Sequence, residues 1–226
     1  MKLDTYRSPL GKNLRGRGNQ FALASNKGVL GQLQSKNTSL NCKLRKSART
    51  NDGNPMRTQE IDMAKIRPIR PDSQDEIRLV AERMRLTLIE VLGADRGGQM
   101  YELDWLEDRV RFHLDGDGCT GQVFVAVSQA GDIMGHTIVR LETDDSSSTY
   151  GLFSTIYVAE DFRGAGVAQE LIEAGEDWIL GLGQSVAVTY THPENHRLHR
   201  LFGGRGYACT PINDDFVKLE KNFPKS

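Results

Sequence analysis

The sequence predicts an α/β fold with a mixed central sheet, helices packed against it and one parallel β-α-β crossover. Two observations carry that reading. Short β-branched runs alternate with longer stripes at helical spacing, and two strand-length runs (152–158 and 186–190) bracket a long amphipathic stretch. The 226 residues are 38% hydrophobic, enough to bury a core without disulfides or metals. Apolar runs of a few residues fall far below the roughly 20 that a membrane helix needs.

Residues 66–69 form a short strand, which Pro68 confines to a sheet edge. Ser73, with Glu76 three positions later, reads as a capping box. It opens a helix with the stripe Ile77, Val80, Ala81, Met84, Leu88, Val91 and Leu92. Gly93 stops that helix, Gly97 and Gly98 make a mobile loop, and a second helix covers 100–112. Strands follow at 123–127, 134–142 and 152–158, separated by turns at 129–132 and 144–148. A helix from about Gly166 carries Val167, Leu171, Ile172, Trp178, Ile179 and Leu182 on one side and ends at Gly183. Strand 186–190 completes the crossover, which the chirality rule makes right-handed. Thr191 with Glu194 suggests another capping box, with Pro193 in the first turn, opening a helix to about Gly203. Strands 207–210 and 216–219 close a final hairpin around 211–215.

Charge divides the chain. Residues 1–60 carry 12 Lys+Arg against 3 Asp+Glu, a balance of +9, whereas 61–226 stand at -10. The first segment lacks helical or strand periodicity and is expected to be a disordered basic arm. It also suits a nucleic-acid or anionic-surface tether, a transit peptide, or a leader upstream of a true start at Met56 or Met63. Residues 61–226 form the organised domain. Cys42, Cys119 and Cys209 make no CxxC pair, and residues 1–20 hold no apolar signal region, so a cytoplasmic location is expected. His192, His196 and His199 have a spacing that can bind zinc, but HExxH is absent and no cysteine lies close in sequence, so no metal is expected.

The most informative stretch runs from Ile156 to Ala168, where a strand meets a glycine turn that becomes a helix N-terminus. Free amides and the positive end of the helix dipole converge there, which suits a pyrophosphate. Gly164 and Gly166 let the anion approach closely. The dinucleotide fingerprint fails at Gln169, and no Gly-Lys-Ser/Thr makes a P-loop. An ordinary glycine turn is the remaining alternative.

Arg163-Gly164-Ala165-Gly166-Val167-Ala168 resembles the acyl-CoA-binding signature Q/R-x-x-G-x-G/A of the GNAT N-acetyltransferases. The resemblance extends from Ile156 and Val158 on the strand through the helix to Asn195, Leu198, Leu201, Phe202 and Tyr207, over about residues 65–220. It implies a GNAT-like, mostly antiparallel sheet and acetyl-CoA as cosubstrate. It also implies acetyl transfer to a primary amine by direct attack in a ternary complex. The amides of Arg163 through Ala168 would hold the pyrophosphate; for Arg163 a plain solvated loop arginine fits equally well. Ile156 and Val158 would bind the pantetheine arm where two parallel strands splay, and the Val158 amide would polarise the thioester carbonyl. Asn195 would contact the arm from the other wall, beside Phe202.

The chain departs from the family pattern at two positions. Phe202 stands where many members place a tyrosine acid, so that role passes to Tyr207, Tyr190, His199 or water. Leu152 stands where some carry a glutamate base, leaving Glu142, Tyr150 or Ser154 to accept the proton. Glu142 and Tyr207 are the catalytic candidates. Asp95, Glu102, Asp104, Asp214 and Asp215 suggest a cationic small-molecule or protein acceptor. The departures also admit a non-catalytic acyl-CoA-binding module. Nucleic acid would bind only through the arm, no membrane is expected, and a homodimer stays open.

Overall fold

The computed structural model describes residues 64–92, 94–214 and 216–224. The basic arm, the helix stop at Gly93, the side chains of Val91 and Leu92, and Asp215 lie outside the described residues. In chain order the elements are β1 (Lys65–Pro68), α1 (Gln74–Leu92), α2 (Ala94–Gln99), α3 (Leu103–Phe112), β2 (Gly121–Val127), β3 (Ile133–Thr143) and β4 (Thr149–Val158). Then come α4 (Val167–Gly181), β5 (Val186–Thr191), α5 (His196–Gly203), β6 (Ala208–Asn213) and β7 (Phe216–Asn222). The seven strands form one sheet in the order β1-β2-β3-β4-β5-β7-β6. Every neighbouring pair is antiparallel except β4 with β5, the strands of the crossover.

Alternation along the strands sends side chains to two separate cores. On one face, Ile77, Val80, Ala81 and Met84 of α1 join Leu106 and Val110 of α3 against Val123, Val125 and Ile138. On the other, Ile172 and Ile179 of α4 pack on Val139, Phe153 and Ala187. Val167 and Leu171 reach Ala126 and Met134. Gly175 brings α4 close to the sheet, because a Cβ there would stand 2.4 Å from the Phe153 ring.

Local details correct the sequence reading. Gly97 and Gly98 are helical, within α2, rather than loop. A Cβ on Gly97 would fall 2.3 Å from the Leu88 carbonyl oxygen, so this glycine permits close packing on α1. Ser73 accepts from the Glu76 amide at 3.5 Å, but the Glu76 carboxylate does not complete the box. Instead it accepts from both terminal nitrogens of Arg67 (3.0 and 2.7 Å) and from the Arg70 amide, tying α1 to the edge strand. Burial alone would raise the Glu76 pKa; these donors overcome it and hold the carboxyl at about 2. Leu182 caps α4 and is 42% exposed, so the buried stripe stops at Ile179. Thr191 and Glu194 form no capping box, since Asn195 is the cap of α5. Pro211 lies within β6 rather than in a turn, at a sheet edge where its missing amide costs no ladder bond.

Candidate active site

β4 and β5 pair only at Gly151–Ala187 and Leu152–Val188. Beyond that, β4 continues to Val158 against β3, while β5 continues to Thr191 against β7. The strands therefore part in a V. Thr189 Oγ1 donates to the Phe153 carbonyl at 3.1 Å, bridging the two strands next to the last pair. The register with β3 slips between Ile138 and Val139, so Ser154 is a bulge residue whose buried Oγ has no partner. Past the bulge the ladder is regular, and the Ala159 amide donates to Met134 on the β3 side at 2.9 Å. Alternation then turns the Ile156 and Val158 amides toward the gap, where no strand takes them.

Directly after β4 the chain makes a 3₁₀ turn (Glu160–Phe162) and passes through Gly164 and Gly166 at φ 86° and 87°. That left-handed backbone selects glycine. Neither glycine has an atom within 4 Å of where a Cβ would sit, so the amides face open space. No side chain caps α4 at Gly166, and its first internal bonds run from Gln169 and Glu170 to the Gly166 carbonyl. The amides of Val167 and Ala168 precede that ladder and, with those of Gly164, Ala165 and Gly166, line a helix N-terminus suited to an anion. Arg163 fits neither reading offered for it. Its amide turns back to Glu160, and its Nε donates to the Val158 carbonyl at 2.9 Å, fastening the loop to the strand end.

Across the gap, Asn195 accepts from the Leu198 amide (3.2 Å) and donates to Thr191 Oγ1 (2.9 Å), joining α5 to the end of β5. Phe202 and Tyr207 lie deeper. Phe202 is fully buried, edge-on to Phe153 and to Tyr207. Burial, then the nearby Glu176 charge, pushes the Tyr207 hydroxyl far above the ordinary phenol range. Tyr207 is thus packed as a core tyrosine and is poorly placed to give up a proton.

A second concavity of about 350 Å³ lies where β2, β3 and β4 meet the end of α3. Glu142 and Arg140 line it and form an ion pair. Tyr150 stands opposite Glu142 in the β3–β4 register. Burial, then a hydrogen bond with Tyr190, raises its pKa above the phenol range, which disfavours it as a base. Sequence reasoning missed Arg140, Arg109, Ser154 and Thr189. The period of two along β3 would have placed Arg140 on the face of Ile138; nothing local signals the Ser154 bulge. Asp95, Glu102, Asp104 and Asp214 are exposed and do not line the concavity. The three histidines are held locally: the Glu194 amide donates to His192 Nδ1, and His199 Nε2 lies 3.2 Å from the His192 carbonyl.

The acetyltransferase (GNAT) family model matches residues 91–207, just over half of the chain. The chain belongs to the GNAT acetyltransferases. It is therefore, in general terms, an acyl-CoA-dependent acyltransferase. The GNAT fold is shared with yncA from Salmonella typhimurium, solved with its cofactor acetyl-CoA (TM-score 0.57, 14% identity, covering 72% of this chain and 95% of that one). It is also shared with a ribosomal-protein-alanine N-acetyltransferase from Brucella melitensis (TM-score 0.54, 16% identity, 70% and 99%). A chain of the NatC complex bound to Gag peptide and CoA is similar too (TM-score 0.53, 18% identity, 71% and 99%). No curated protein is significantly similar in sequence. Among the described residues, no helix is long and apolar enough to cross a membrane.

Proposed function

We propose that this GNAT protein moves an acetyl group from acetyl-CoA to a primary amine by direct attack in a ternary complex. The observation that carries this is continuity: the V-shaped gap between β4 and β5 leads without interruption into the glycine loop before α4. The loop amides from Gly164 to Ala168 would take the pyrophosphate. The Ile156 and Val158 amides would take the pantetheine arm, and the Val158 amide the developing oxyanion. Asn195 and the buried Phe202 support the far wall.

The attacking amine must be neutral, although an alkyl ammonium has a pKa of about 10.4. Glu142, an acceptor on the same sheet face as Leu152, is the group we assign to take that proton, directly or through water. The leaving thiolate needs no buried acid, because a thiol pKa of about 8.5 makes it a good leaving group that solvent can protonate. Tyr207 has no part in this reading. The catalytic domain would be residues 61–226, working in the cytoplasm, with residues 1–60 an appended basic arm. A non-catalytic acyl-CoA-binding module remains the second reading, favoured by the burial of both Phe202 and Tyr207.

Calorimetric titration with acetyl-CoA tests the cofactor site. Wild type is expected to bind, and Gly166→Asp, which puts a carboxylate in the loop, to lose binding while staying folded. Thiol release with a panel of amines then separates enzyme from module. Glu142→Gln should keep acetyl-CoA affinity and lower kcat by roughly 10²–10⁴-fold. A folded wild type that does not bind acetyl-CoA ends the proposal.

A further inference from the structure

The concavity between the β3–β4 hairpin and α3 buries more positive than negative charge. Arg140 is only 7% exposed and its Nε is buried with no partner, although a terminal nitrogen is used by Glu142. Behind the wall, the Arg109 guanidinium stacks on Phe112, 4.7 Å from the ring centroid. Its Nε is likewise buried and unpartnered. The charges of Arg140 and Glu142 both act on Arg109. His113 does not add charge: its Nδ1 lies 2.6 Å from the Arg109 carbonyl, and burial, then the two arginines, hold its pKa at about 3. Among the described residues the cluster therefore holds two guanidiniums and one carboxylate. One buried positive charge is left over, which is costly until something compensates it.

We propose that this concavity is the acceptor subsite and that it recognises a carboxylate, so that the acceptor is an amino carboxylate such as a free amino acid. Arg140 offers its unpartnered Nε to the carboxylate, and Arg109 supplies the surplus charge; a planar guanidinium matches a carboxylate in shape. A monoanion balances the cluster, whereas a phosphate dianion overshoots it. The acceptor's ammonium turns toward Glu142. Position supports the assignment: Arg140 pairs in register with Leu152, and Leu152 with Val188, the last rung before the gap. Adjacent strands are about 4.8 Å apart, so Arg140 stands one strand from the mouth of the V. The cluster replaces the cationic acceptor suggested by the exposed acidic residues. Its place in the reaction rests on the acetyl-transfer reading; its preference for a carboxylate does not.

The test uses the full chain and matched pairs: free amino acids and the amides of the same amino acids, each carrying the amine and differing in the carboxylate. Binding is followed by calorimetry with and without saturating acetyl-CoA, and turnover by thiol release. The acids are expected to bind, and to turn over, at least about tenfold better than the amides. Arg109→Met should erase that preference, through KM where turnover is seen, with acetyl-CoA affinity unchanged. Should Arg109→Met fail to fold, Arg140→Lys serves instead, keeping the charge and losing the fork, with the preference expected to shrink. Equal binding of acids and amides by wild type, including none of either, overturns the proposal. So does a folded Arg109→Met, or a folded Arg140→Lys, that keeps the full preference. Loss of acetyl-CoA binding, by contrast, sinks the transferase reading while the acid–amide contrast still decides this one.

Discussion

Leu152 and Val188 form the last paired position between β4 and β5, and the protein's widest opening in backbone pairing begins one residue later. The sheet continues on both sides of that opening, β3 holding β4 and β7 holding β5, so the gap is framed by strands fixed elsewhere. A bulge at Ser154 and the Thr189–Phe153 hydrogen bond sit at its apex.

Two glycines of α4 should respond oppositely to alanine. Gly175→Ala gains helix propensity of up to about 1 kcal/mol, but its methyl would stand 2.4 Å from the Phe153 ring and 2.9 Å from Val139. Overpacking of that kind costs typically 1–3 kcal/mol, so a net loss is expected. Gly181→Ala meets nothing within 4 Å and should stabilise by several tenths of a kcal/mol. Urea denaturation of the two variants gives the comparison directly.

Acid should weaken the fold through two histidines. Burial holds His136 and His113 at about 3 in the folded chain against an ordinary 6.5, with Arg83 adding to the effect at His136. Between those values the unfolded chain binds more protons. Stability is therefore full above pH 6.5 and falls as pH drops toward 3, by up to about 1.4 kcal/mol per unit for each group. His136→Phe keeps a ring against Tyr157 and removes two buried unpartnered nitrogens. It should be more stable than wild type at pH 5, with a shallower slope in that window. Glu76 acts lower: its contribution is present above about pH 4.5 and is lost as pH falls through about 2.

Asn195→Ala removes a helix cap and the hydrogen bond to Thr191, costing about 1 kcal/mol. Asn195→Asp keeps the acceptor for the Leu198 amide and should retain most of that stability. Melting temperatures compared with acetyl-CoA dissociation constants separate capping from contact. A cofactor contact weakens binding in Asp as well as Ala, whereas a purely structural role weakens it only in Ala.

Restoring the family's tyrosine at Phe202 should not raise activity. That ring is fully buried between Phe153 and Tyr207, so an added hydroxyl costs about 1–3 kcal/mol without reaching the gap. Tyr207→Phe should leave kcat within about twofold, because its hydroxyl is buried near Glu176. A kcat loss of tenfold or more in a folded Tyr207→Phe would return the acid role to that residue.

The parts of the molecule legible in the sequence are those whose causes are local. The crossover showed itself because 152–158, the α4 stripe and 186–190 each carry their own period. The loop showed itself because Gly164 and Gly166 occupy positions that only a left-handed backbone demands. What escaped depends on contacts between distant segments. Gly97 reads as a loop breaker until Leu88 is known to lie beneath it. Arg109 and Arg140 read as ordinary surface charges until α3 folds over β3. Thr191 and Glu194 matched a cap pattern, yet Asn195 can reach both the Leu198 amide and Thr191 and takes the position.

The unequal pairing of β5 bears on the order in which the chain comes off the ribosome. β5 shares two positions with β4, made before it, and six with β7, made after it. Until β7 emerges, one wall of the gap hangs from a two-residue ladder, and Glu176 in the middle of α4 lacks its bond to Lys221 at 3.1 Å. During synthesis the glycine loop can form early, but the cleft it serves is completed by one of the last strands to leave the exit tunnel. A nascent chain stalled before Phe216 carries the phosphate-binding turn without a finished site.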